Sequence, residues 1–289
     1  VSEEWTLAFA AKDFDRPGLL IEDLELSGNG IIRAKTSEIS ANIDYEADGL
    51  VIDDADLADA LGQTISGDLR LVASDGTPTE LESFTLQSAS IDLEAQATLI
   101  TKETGFDISS TALANIADLS KFAGLSGVDL EGSGQATLIS NIDPLNGLFD
   151  VLLTAQTDDL ALGIEQLDPL LAGSATLSFD GIRDEAGTRL NALRLKSDEV
   201  LILSDAALTN DGGSGEFSVT LNDIGKVEPS LSGTAQLDGE ATLRADQSID
   251  FDLKLQTDED EVALGGTSTP TPAGRTLIAD TAFDLGDIA

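Results

Sequence analysis

Carboxylates are the most abundant groups in this sequence that could do chemistry. The 289 residues include 54 Asp and Glu but no His and no Cys. Triad-type nucleophilic catalysis and imidazole or thiolate metal sites therefore lack their usual parts. Paired carboxylates can hydrolyse glycosidic bonds, but nothing in the sequence marks a cleft around any pair. We expect no catalytic residue, no cofactor and no metal site, and we predict that the protein is not an enzyme.

Two acidic clusters could supply the oxygen ligands that calcium prefers: Asp53, Asp54 and Asp56, and the run 258–261. Neither cluster has the spaced pattern of a calcium-binding loop. The segment 211–216 is similar to a repeat-in-toxin calcium turn, but it occurs once, and that motif works only in arrays. Solvated loop charge is the simpler interpretation, with calcium binding as the alternative.

Aliphatic side chains at every second position form the other chemical pattern. This alternation predicts strands with one apolar and one polar face, typical of an antiparallel sheet covered on one side. Aromatic residues make up only 4% of the chain, and an aliphatic face suits contact with lipid acyl chains. Packing in an ordinary sandwich core is the alternative. The candidates for acyl-chain contact are Leu177, Phe179, Leu193, Leu195, Leu201, Leu203, Phe217, Val219, Leu221, Ile91, Leu93 and Leu99.

A short turn, a glycine and an alternating strand recur along the chain. The clearest copies contain Gly173 and Gly233, and weaker copies contain Gly127 and Gly67. The intervals between these glycines are 60, 46 and 60 residues. Such unequal spacing predicts one continuous curled sheet rather than a regular solenoid.

The predicted fold is all-β: an elongated, curled and mainly antiparallel sheet that forms a groove with an aliphatic inner face. One or two short helices are expected, with the best helical patterns over residues 53–61 and 113–122. Residues 267–274 are expected to form a longer loop, a possible boundary within an otherwise single segment that spans residues 1–289. We see no other domain boundary.

The formal net charge of −39 excludes nucleic acid as a partner, because no basic stripe reverses the repulsion of phosphates. No apolar stretch approaches the roughly 20 residues that cross a bilayer, and the first residues do not form a signal peptide pattern. The chain contains no Met. We therefore expect an internal fragment of a longer protein, with any membrane anchor outside it.

A succession of weak motifs between residues 60 and 239 resembles the periplasmic part of the TamB family, the translocation and assembly module subunit, in its alphaproteobacterial form. The motifs are the segments 119–127 (LSKFAGLSG), 143–150 (DPLNGLFD), 157–164 (TDDLALGI) and 166–173 (QLDPLLAG). Their order carries the resemblance, since no single motif is diagnostic.

The resemblance implies a groove related to AsmA-like and bridge-like lipid-transfer proteins. It implies a location in the periplasm, with a tether to the inner membrane through a segment outside this one. The implied roles are phospholipid transport between the inner and outer membranes and support of outer-membrane protein assembly. Phospholipid acyl chains would be the ligand, and other parts of the parent chain would contact a TamA-type Omp85 barrel. The alternative is an acidic β-repeat adhesin or binding module stiffened by calcium.

Overall fold

A computed structural model describes residues 2–258, 260–272 and 274–285. The described chain consists of antiparallel strands and a few short helices, which confirms the predicted all-β class with a curled antiparallel sheet. It divides into two compact units, residues 1–147 with 161–163 and residues 148–160 with 164–289. Each unit is described by itself.

In the first unit, successive strands pair in an antiparallel meander. Its strands are β1 (Ser2–Arg16), β2 (Leu19–Arg33), β3 (Glu38–Ile52), β4 (Thr64–Ala73), β5 (Thr79–Gln87), β6 (Ile91–Thr101), β7 (Phe106–Ile116) and β8 (Glu131–Asp143). The helix α1 (Ala55–Leu61) joins β3 to β4. A 3₁₀ turn (Leu119–Phe122) and α2 (Ala123–Ser126) join β7 to β8.

The second unit is also a sequential antiparallel meander. Its strands are β9 (Leu148–Ala161), β10 (Ser174–Asp184), β11 (Gly187–Lys196), β12 (Val200–Thr209), β13 (Gly212–Leu221), β14 (Ala235–Leu243), β15 (Ile249–Thr257), β16 (Asp260–Thr271) and β17 (Gly274–Leu285). The helix α3 (Asp168–Leu171) joins β9 to β10, and a 3₁₀ turn (Ile224–Lys226) joins β13 to β14.

The helical segments of each unit lie at one end of its strands, because they occupy connections separated by an even number of strands. Three of them begin with an Asp side chain that accepts a backbone N–H, the usual N-cap arrangement. The bonds are Leu57 N to Asp54 (3.0 Å), Ser120 N to Asp118 (3.0 Å) and Gly225 N to Asp223 (2.9 Å). The abundant carboxylates therefore organise the chain at these turns.

The recurring glycines follow the helical segments and allow the chain to turn into the next strand. Gly127, Gly173 and Gly233 have φ of 73°, 78° and 95°, a region that residues with a Cβ rarely adopt. The fourth equivalent is Gly62, with φ of 71° after α1. The prediction of Gly67 in this role is wrong, because Gly67 lies within β4 opposite Tyr45.

The two units repeat the same local structures about 110 residues apart. The turn between β5 and β6 and the turn between β11 and β12 both have a backbone N–H···O bond of 2.9 Å, from Ser88 to Ile91 and from Ser197 to Val200. In each turn the serine hydroxyl accepts N–H groups two and three residues ahead. The two serines are 109 residues apart. The segment from α1 to β8 thus has the same organisation as the segment from α3 to β14.

Two local predictions are corrected by the strands. The helix predicted over 113–122 is wrong up to Ile116, because the alternating residues at its start belong to β7. The loop predicted over 267–274 is wrong, because β16 extends to Thr271 and β17 begins at Gly274. Pro270 lies near the end of β16, where a missing N–H is tolerated. Ala273 lies outside the described residues.

Of the described hydrophobic residues, nine are buried, and most lie near the helical end of a unit. They are Ile21, Ala47, Leu50 and Ala60 in the first unit, and Leu170, Leu171, Ala175, Val200 and Ala235 in the second. Ala47 and Leu50 are three residues apart in β3 yet belong to one buried cluster. The positive φ of Gly49, 64°, lies between them and reverses the alternation of the strand.

The Ser197 hydroxyl joins α3 to the β11–β12 turn, which yields a prediction. It donates to Leu170 O at 2.5 Å and accepts two backbone N–H groups. We expect Ser197→Ala to destabilise the protein by about 1–3 kcal/mol, because it leaves buried polar groups without partners. Urea unfolding followed by circular dichroism measures this loss.

The exposed Ser214 lies in a strand of the same unit, so Ser214→Ala is the matched control. Equal stability of the two variants would contradict the role of Ser197.

Candidate functional site

The strand register of the second unit aligns aliphatic side chains in rows that run across the strands. One row consists of Ala155, Leu177, Leu195, Ile202, Val219, Leu237, Leu255, Val262 and Phe283. The next consists of Leu153, Phe179, Leu193, Ser204, Phe217, Gly239, Leu253, Leu264 and Thr281. Residues two apart in a strand share a face, so both rows belong to one surface. We call it the apolar face of the second unit.

Most of the predicted acyl-contact residues of this unit lie on this face. Leu177, Phe179, Leu193, Leu195, Phe217 and Val219 belong to the two rows. Leu221 is on the same face, opposite both Val200 and Ala235, at the helical end.

Leu201 and Leu203 are not brought together with the other candidates. Leu203 lies opposite Arg194 and Ser218, and Leu201 lies opposite Lys196 and Thr220, so both point to the polar face. Four consecutive apolar residues, 200–203, conceal the alternation in this strand. The register resolves it, because Ile202 is paired with Leu195.

Sequence reasoning missed several members of the face. Ile202 was hidden in the run of four apolar residues. Leu237 alternates visibly with Gln236 and Asp238 and could have been found by the same pattern. Leu255 was recognised as part of an alternating strand but not as a neighbour of these rows, since only the register reveals which strands are adjacent.

The first unit has a corresponding apolar face built from smaller side chains. One row consists of Ile43, Leu69, Phe84, Ala95, Ala112 and Leu138, and another contains Leu86, Leu93, Ala114 and Ala136. The predicted residues Leu93, Ile91 and Leu99 all lie on this face, the last two opposite Ile116 and Ile108. The face also contains a hydrogen-bonded pair, Ser110 Oγ and Ser140 Oγ, 2.7 Å apart.

Both apolar faces remain within reach of solvent. Burial of apolar residues is concentrated at the helical ends, whereas the row members are partly exposed. Phe217 and Leu255, in the middle of the second unit, each expose 37% of their surface. In the described part of each unit, the faces are therefore not filled like the inside of a closed sandwich.

The opposite face of the second unit carries a row of carboxylates. Asp205, Glu216, Glu240 and Asp252 lie directly opposite one another on β12 to β15. The carboxylate of Asp205, and to a smaller extent that of Glu240, raises the pKa of Glu216. A depression of about 550 Å³ is lined by this row and by Leu203, Lys254 and neighbouring residues. The two faces of the sheet thus differ sharply in charge.

The predicted acidic clusters have structural partners. Asp258 accepts from the backbone N (3.1 Å) and the hydroxyl (2.6 Å) of Thr234, contacts that lower the pKa of Asp258. Asp54 caps α1 as described above, and Glu259 lies outside the described residues. Among the described residues, no group of three or more carboxylates is placed to hold a metal ion.

Comparison of the chain with protein-family models, with curated proteins and with solved structures finds no match. No helix in the described part of the chain has the length and hydropathy needed to span a membrane.

The carboxylate row yields a prediction on pH dependence. A raised pKa in the folded state means that folding favours the protonated form of Glu216. The repulsion is therefore present at neutral pH and is lost below the ordinary Glu pKa of 4.5. We expect Glu216→Gln to raise Tm at pH 7 and to have little effect at pH 4, as measured by thermal unfolding.

Glu185 lies in the turn between β10 and β11, away from this row, and Glu185→Gln serves as the control. An equal gain from both substitutions, or a gain from Glu216→Gln that persists at pH 4, would refute the assignment.

Proposed function

We propose that the chain is a lipid-binding segment whose apolar faces shield acyl chains from water. The observation that supports this most strongly is the uninterrupted aliphatic row from Leu177 to Val262 in the second unit. This row crosses strands spaced about 4.8 Å apart. It offers an acyl chain apolar contact on every strand from β10 to β16.

The energetics favour retention of such a ligand. Removing a methylene group from water contributes about 0.8 kcal/mol, so contact with a few strands is enough to hold an acyl chain. The rows repeat similar side chains at each strand, as at Ile202, Val219 and Leu237. A bound chain can then shift between neighbouring positions without losing all its contacts, which suits transport as well as storage.

The chemistry of the face favours an acyl chain over a folded protein partner. Protein interfaces depend on Trp, Tyr and Arg at their energetic centres, and the two rows described above contain none of these residues. Acyl chains need neither hydrogen bonds nor a charged complement. The formal net charge of −39 also keeps such a segment soluble and separate from its copies.

In the proposed setting, the segment belongs to a TamB-like protein of the periplasm. It would support phospholipid movement between the inner and outer membranes and the assembly of outer-membrane proteins. The membrane tether and the contact with an Omp85 barrel would be supplied by other parts of the parent chain. This setting depends on the sequence resemblance, whereas acyl-chain binding depends on the faces.

Adjacent residues on opposite faces provide a matched test of acyl-chain binding. We expect Ile202→Arg to reduce photocrosslinking of β12–β14 to a diazirine-labelled phospholipid at least tenfold, because it places a charge within the aliphatic row. Leu203→Arg adds the same charge to the same strand on the polar face, and should leave crosslinking nearly unchanged.

Circular dichroism confirms that each variant retains its strands, and Phe179→Glu provides a second disruption of the face should Ile202→Arg fail to fold. Equal crosslinking of the Ile202 and Leu203 variants would overturn the assignment of the face.

A further inference from the structure

We infer that the chain holds two separate acyl-chain sites, one on the apolar face of each unit. This inference rests on the proposed function and adds the number and location of the sites. Its basis is the structural repeat, since a feature that binds a ligand in one copy is reproduced at equivalent positions in the other.

The equivalence extends from the turns to the apolar faces. Measured by the 109-residue offset between Ser88 and Ser197, four aliphatic or aromatic positions of the first unit correspond to aliphatic positions of the second. The pairs are Phe84 and Leu193, Leu86 and Leu195, Ile91 and Val200, and Leu93 and Ile202. In both units these residues lie on the apolar face, on the two strands that flank the serine turn.

The second half of the repeat matches with a slightly shorter offset. Asp118 and Asp223 are 105 residues apart and cap equivalent 3₁₀ turns. Ile116 and Leu221, also 105 residues apart, end the strands that precede these turns. Each unit therefore contains its own strands, its own capped helical end and its own aliphatic rows. Neither face needs residues from the other unit to be complete.

The two sites differ in size. In the first unit, Ala95 and Ala112 occupy the middle of a row and the Ser110–Ser140 pair lies on the same face. In the second unit, the large side chain of Phe217 occupies the middle of the corresponding row. Less apolar surface is available for contact in the first unit, so we expect it to bind an acyl chain more weakly.

A single-chain lipid without net charge is the appropriate probe. Lysophosphatidylcholine carries one acyl chain, so each bound molecule reports one site, and its zwitterionic headgroup avoids general repulsion by the acidic protein. Native mass spectrometry of the full chain, titrated below the critical micelle concentration of the lipid, counts the bound molecules directly.

We expect up to two molecules per chain, with two affinities. Leu93→Arg should remove the weaker site and Ile202→Arg the tighter one, each leaving one bound molecule, while the double variant binds none. The controls are Gln96→Arg and Leu203→Arg, which add the same charge on the polar face of each unit and should retain both molecules. Hydrogen exchange of the unsubstituted unit confirms that it stays folded in each variant.

The outcomes separate the two proposals. Absence of bound lipid from the unsubstituted chain contradicts the proposed function itself. Saturation at one molecule, saturation above two, or loss of all binding on either single substitution contradicts the inference of two sites, while acyl-chain binding stands.

Discussion

The register between consecutive antiparallel strands is the constraint on which the rest of the structure depends. Because every strand pairs with its neighbour in sequence, the period-two alternation of each strand is converted into continuous rows across several strands. A shift of one residue in a single pair would move that strand's apolar residues to the polar face. The bulge where Leu190 and Leu193 pair with β12 and the positive φ of Gly49 alter the alternation locally while keeping the buried residues together.

The helical segments and the carboxylates give each unit its polarity. Helices bury apolar residues at one end only, so the remaining aliphatic surface stays accessible and the fold is held largely by backbone pairing. Carboxylates such as Asp118 and Asp223 cap helical turns, and Asp205 and Glu216 repel each other across neighbouring strands. The acidity of the chain therefore has two opposite local effects: it stabilises turns and weakens one strand pair.

The sequence predicts the fold class and most members of the apolar faces, since alternation is a local signal. It fails where local patterns are ambiguous. Residues 200–203 are all apolar, so only pairing with β11 reveals that Ile202 rather than Leu201 or Leu203 faces the rows. Gly67 resembles the recurring glycines in its neighbours, but the backbone conformation that defines them belongs to Gly62. Proline and threonine over 267–271 suggest a loop, yet pairing with β17 keeps that segment extended. Each failure reflects a tertiary pairing that no short window contains.

Intermolecular nuclear Overhauser effects between methyl-labelled protein and a bound acyl chain test the central claim most directly. The account predicts contacts from the acyl chain to the methyl groups of Ile202, Val219 and Leu237, which form one row, and none to Leu203 on the opposite face. Contacts to Leu203 without contacts to Ile202 and Val219, or no contacts to either face at saturating lipid, would contradict it.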